Sequence, residues 1–146
     1  LTVTLTNDTL YETDETVIIT MGTPTNATLG VTTVHTLTIT NDDLIPDTTA
    51  PTGTISINAN ASYTNSTSVS LSLSATDATG VTGYYLSTSV TAPLATATGW
   101  IALTSTISYS STVPYTLTTT DGVKTLYCWY KDAANNISTS ASDAIT

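Results

Sequence analysis

Positive charge is what this chain most lacks. Lys124 and Lys131 are its only basic side chains apart from His35, arginine is absent, and 11 acids bring the formal net charge to -9 over 146 residues. So poor a supply of cations argues against nucleic acid, whose phosphates must be met by Lys and Arg. It argues equally against anionic membrane surfaces. Long apolar runs are missing too: nothing approaches the ~20 residues that a membrane-crossing helix needs, so no membrane insertion is expected. Cysteine occurs once, at Cys128, which leaves no internal disulfide. One Cys and one His cannot build the four-ligand shell of a structural zinc. There is no glycine-rich phosphate loop and no Ser/His/Asp set in a supporting context. No catalytic residue is therefore assigned, and an enzyme is not expected.

What is present points to strands. Threonine dominates, with Ser, Val, Ile and Tyr, residues that suit a pleated, half-buried surface, while helix-favouring Glu, Lys, Arg, Gln and Leu are few. A hydrophobic content of 40% is enough for a core. The expected fold class is all-β. Period-2 alternation marks strands at 1–6 (LTVTLT), 15–21 and 34–40, then at 53–58, 68–75, 81–87, 100–103, 114–119, 123–132 and 138–146. The stretch NDDLIPDTTAPTG interrupts the pattern with two prolines. It divides the chain into a first module, 1–43, a linker, 44–51, and a second module, 52–146. Short strands with turns every ~8–15 residues make the second module an Ig-like antiparallel β-sandwich. Three strands in the first cannot bury two faces, so that module is incomplete. The sequence also starts inside a strand pattern and without Met, as a mature fragment would. The expected partner is the missing N-terminal part of a longer parent chain or another copy, pairing at Leu1–Thr6 or Val34–Thr40.

The acids are unevenly placed. Asp8, Glu12, Asp14, Glu15, Asp42, Asp43 and Asp47 all lie in the first third, with no cation nearby in sequence. Adjacent carboxylates repel one another unless a cation sits between them. The turn NDTLYETDET, the strand VIITM, the pair Leu29–Gly30 and the closing TLTITNDD resemble the C-terminal half of a Calx-beta domain, a calcium-binding sandwich of exchangers and large bacterial surface proteins. The resemblance implies calcium as a cofactor. Its ligands would be Asn7, Asp8, the backbone carbonyl of Leu10, and Glu12 from the turn, with Asn41, Asp42 and Asp43 from the end of the last strand. All are oxygen donors of the kind calcium takes. Asn7 and Asn41 stand where that family often has Asp, which implies weaker binding. Asn-Asp pairs at strand ends also form Asx turns by themselves, so each stretch has a purely local reading as well.

Residues 47–146 resemble the Ig-like repeats of secreted bacterial proteins, on the phrases DTTAPTG, LSATDATGV, YYLS and DGVKTLYCWYKDAANNIS. That architecture brings Asp47, Asp77 of TDATG and Asp132 of KDAANN to one end of the sandwich, where calcium would stiffen the joint. Turn capping is the alternative reading for Asp77 and Asp132. In LYCWY, alternation turns Leu126, Cys128 and Tyr130 inward, and Tyr127, Trp129 and Lys131 outward. Tyr85 on the neighbouring strand also faces out. The three outward aromatics read as a cross-strand cluster, as a glycan-stacking platform or as a subunit contact. The expectation is a secreted, cell-surface structural or adhesive piece, possible calcium included. A fibre subunit joined by strand complementation and a carbohydrate-binding module are the alternatives.

Overall fold

Alternating apolar residues become strands wherever a neighbouring strand covers them. The computed structural model describes residues 4–146, and every regular element in it is a β-strand. The chain forms two units, Leu1–Pro46 and Asp47–Thr146.

The first unit contains β1 (Glu15–Thr20) and β2 (Val34–Ile39), paired antiparallel from Glu15↔Ile39 to Thr20↔Val34. The register puts Val17, Ile19, Leu37 and Ile39 on one face, while threonines dominate the other. Among the described residues this sheet has two strands; Val17, Ile19 and Ile39 are half-buried, and Leu37 stays 44% exposed. Of the strand expected at 1–6, Leu1–Val3 lie outside the described residues, and Thr4–Thr6 are not in a strand. Alternation alone does not make a strand without a partner ladder to satisfy its amides.

The second unit is an all-β sandwich built from β3 (Thr52–Ile57), β4 (Ser68–Ser87), β5 (Ile101–Thr116), β6 (Lys124–Asp132) and β7 (Ala141–Ile145). Strands expected separately at 68–75 and 81–87 are two arms of β4. Their register slips between Thr76 and Val81. At that corner the Asp77 carboxylate accepts the Thr79 and Gly80 amides, both at 2.9 Å, and Gly80 takes φ +109°. A side chain is rarely tolerated there. β5 likewise joins the segments expected at 100–103 and 114–119. The intervening TSTISYSST looks like a loop by composition, yet pairs with β4 through Ser108↔Thr76 to Ser111↔Leu73.

The bent β4–β5 ribbon contributes to both layers. In one, β3 pairs with the first arm of β4 and that arm with the second arm of β5; in the other, the second arm of β4 pairs with β6, and β6 with β7. Between them lies one core that includes Ile57, Leu71, Val81, Leu126, Cys128 and Tyr130. Tyr130 crosses this core, and its hydroxyl donates to the Thr54 carbonyl at 2.5 Å. Its ring passes Gly53 so closely that a Cβ there would lie 2.3 Å from it.

The two ends of β6 define two poles of the sandwich, about 26 Å apart at the usual rise per residue. Asp132, the Asp77 corner and Asp47 are at one. Lys124, Ile145 and Thr146 are at the other, where Lys124 pairs with Ile145 and the Thr64 amide donates to the Thr146 carbonyl. Of the stretch expected as linker, 44–51, residues Asp47–Pro51 fall in the second unit. The Asp47 carbonyl accepts the Asn136 side-chain amide at 3.1 Å, and Pro51 is buried.

Candidate functional site

In the first unit the two acidic stretches meet. The Asn7 side-chain amide donates to Asp42 at 3.3 Å, and the Glu12 backbone amide donates to the Asn41 side-chain oxygen at 3.2 Å. Asn7, Asp8, Glu12, Asn41, Asp42 and Asp43 share the lining of a depression of about 300 Å³. Several of these oxygens are already engaged. Asp8 caps the Leu10 amide at 2.8 Å, as in an Asx turn, and the Asn41 side chain spans Glu12 and Asp43. Asp14, which the sequence reading left out, accepts the Asn41 backbone amide at 2.9 Å and so ties the turn to the end of β2. Its spacing from Asp8 gave no signal of this, because the bond depends on how β1 and β2 pair.

Three carboxylates converge in the second unit. Oxygens of Asp47, Asp77 and Asp132 lie within 4.8 Å of one another, the one such group of three among the described residues. Each comes from a different segment: the run into β3, the β4 corner and the end of β6. Asp132 is only 1% exposed and Asp77 9%. Neutral donors surround them. Asp132 accepts the Asn136 backbone amide at 2.9 Å and its side-chain amide at 2.7 Å. The Thr79 hydroxyl reaches both Asp47, at 2.5 Å, and Asp77, at 2.7 Å. Hydrogen bonds from Thr79 and the Thr49 amide hold the Asp47 carboxyl below its ordinary range. Lys131 is engaged elsewhere, at the Ala95 carbonyl (3.1 Å). An all-oxygen cluster of this spacing suits a hard divalent cation such as calcium, whose ligands lie about 2.3–2.6 Å away. Sequence reasoning placed the three aspartates but missed Thr79 and Asn136.

The aromatic surface differs from expectation. Tyr85 pairs with Trp129 across β4 and β6, and Tyr127 lies 6.1 Å from Trp129. Trp129 does face away from the core, but it is only 1% exposed. Residues 88–100 fold back over it: Trp100 packs edge-on against Tyr85 at 5.6 Å and donates its indole N–H to the Leu94 carbonyl. Lys131 Nζ stands 4.9 Å from the Trp100 ring centre. The expected stacking platform of Tyr85, Tyr127 and Trp129 is therefore a covered second core, with both tyrosines half-buried.

Neither a known protein family, nor a curated protein, nor a solved structure matches this chain. The site must be judged on its own chemistry.

Proposed function

We propose that this chain is a non-enzymatic structural segment of a secreted bacterial surface protein, whose sandwich acts as a spacer. One observation carries the reading: Asp47, on the run into β3, and the end of β7 lie at opposite poles. Modules joined through such points extend end to end rather than folding back. The resemblance to Ig-like repeats of secreted bacterial proteins supports the same role. Two copies of residues 47–146 joined in tandem should scatter X-rays as a rod, its longest dimension growing by roughly one strand length, about 25–30 Å, per added copy. A compact particle would sink the spacer reading.

Calcium is the cofactor we assign to it. Bound by Asp47, Asp77 and Asp132, it would fasten the incoming chain to two turns of the sandwich. The first unit offers a second, weaker set around Asn7, Asp8, the Leu10 carbonyl, Glu12, Asn41, Asp42 and Asp43. Equal melting temperatures in chelator and in millimolar calcium would dispose of both.

A fibre subunit is the second reading, favoured by the apolar face of β1 and β2, which is only partly covered and leaves Leu37 exposed. Another strand, from a second copy or from more of the parent chain, would complete that sheet. Glycan binding has less support, because Trp129 is covered.

A further inference from the structure

Sheet edges normally carry devices that prevent pairing with other chains, such as short length, charge, proline or a covering segment. The second unit uses them unevenly. β3 is 6 residues long, and its Ile57 amide is taken by the Asp143 carboxylate at 2.7 Å. β7 has 5 residues and carries that aspartate. β5 is 16 residues long and, among the described residues, pairs only with β4, which leaves one of its edges without a strand partner there. Its guards are Pro114, near its end, and a register irregularity between Ala102 and Thr106, and neither interrupts Ile107–Val113.

Charge distinguishes this edge further. Between Asp77 and Asp121 the chain has no Asp, Glu, Lys, Arg or His, and the whole of β5 lies inside that interval. Two copies of a chain with net charge -9 repel each other over most of their surface. Along β5 they meet no carboxylate. A basic partner would be drawn to the acids instead, which leaves a second neutral edge as the best match.

The strand also suits itself. Ser108, Ser110 and Thr112 are exposed on the outer face, while Tyr109 and Val113 lean on the core. In an antiparallel pair, residues directly opposite point to the same side. Two-fold pairing of this strand with its own copy, Ser110 opposite Ser110, therefore sets Ser108 against Thr112 outside, and Tyr109 against Ser111 and Ile107 against Val113 inside. The Ser–Thr pairs are favourable cross-strand pairs.

We propose that the Ile107–Val113 edge of β5 pairs antiparallel with the same edge of a second copy, Ser110 opposite Ser110, joining two sandwiches through one continuous sheet. Sedimentation velocity on the full chain in chelator should show a monomer–dimer equilibrium. It should vary little between about 0.05 and 0.5 M salt, because no charges meet at the contact. Ser110→Lys and Ser110→Glu should each give monomers with unchanged melting, since like charges would then face each other across the two-fold axis. Mixing the two variants should restore a dimer, a result that pairing elsewhere would not produce. A wild-type chain that stays monomeric at about 0.5 mM would overturn the proposal, as affinity would then fall below ~4 kcal/mol. So would variants that dimerise as well as wild type, because association would then run through another surface, such as β1 and β2.

Discussion

Cys128 shows how far one side chain can be read from its neighbours. Alternation in LYCWY placed it inward with Leu126 and Tyr130, and all three are fully buried. Burial pushes its thiol up to about 11 and raises the Tyr130 phenol as well. Thiolate, not thiol, attacks labelling reagents, so Cys128 in the native chain should react at the rate of unfolding. Prompt labelling without denaturant would contradict its position. The same shift sets a pH dependence. An unfolded thiol loses its proton near pH 8.5, whereas the native one keeps it until about 11. From roughly pH 9 upward the native state thus holds a proton that the unfolded state has released. Stability is full below that window and falls as pH rises through it, by about 3 kcal/mol at most. Denaturant midpoints at about pH 8 and pH 10.5 should show the fall, and Cys128→Ala should reduce it. Trp129, the next residue, was legible only in direction. Its cover comes from residues 88–100, which have no alternation that would announce where they fold.

Those residues are the clearest case at the scale of elements. A connection rich in Thr, Ala and Ser reads as loop, yet Trp100 and Lys131 fasten it to the outer face of β4 and β6. Trp100→Ala would remove the Tyr85 contact and the seat of Lys131, and let water reach Trp129. We expect a loss of about 1–3 kcal/mol, less than for a fully buried Trp because Trp100 is only half-buried. The emission of the remaining Trp129 should shift to longer wavelength. An unshifted spectrum would mean that the connection holds without Trp100. Element limits were otherwise legible where hydrophobic alternation was strong, as in β1, β2, β3 and β6. They failed in β5, where serine and threonine supply the hydrogen-bonding ladder without an apolar signature. They failed also at the β4 corner, where TDATG is a turn that the ladder passes through.

For the whole molecule, the distribution of charge matters more than its sum. The fold class was legible from composition, and the meeting of Asp47, Asp77 and Asp132 from the order of strands and turns. The donors around them were not: Thr79 reaches Asp47, and Asn136 the Asp47 carbonyl, across segments far apart in sequence, while the bond from Asn136 to Asp132 is a local turn contact that alternation does not announce. Calcium bound there would stabilise the native state by RT ln(1 + [Ca]/Kd), about 2.7 kcal/mol at a hundredfold excess over Kd. Melting of the sandwich should accordingly rise with calcium. Asp132→Asn should abolish the rise while keeping the shape of the turn, and Asp8→Ala should leave the sandwich transition unchanged. A rise that survives Asp132→Asn would move the ion elsewhere.

The opposed ends of the sandwich have a mechanical consequence. Tension applied at Asp47 and Thr146 runs nearly along β3 and β7, each of which lies antiparallel to its paired neighbour. Under such a load a row of hydrogen bonds slides in shear, and its members must yield together rather than open one at a time like a zip. The Asp143 carboxylate on the Ile57 amide links these two strands directly. A module pulled in this direction resists rupture more than its equilibrium stability alone would suggest.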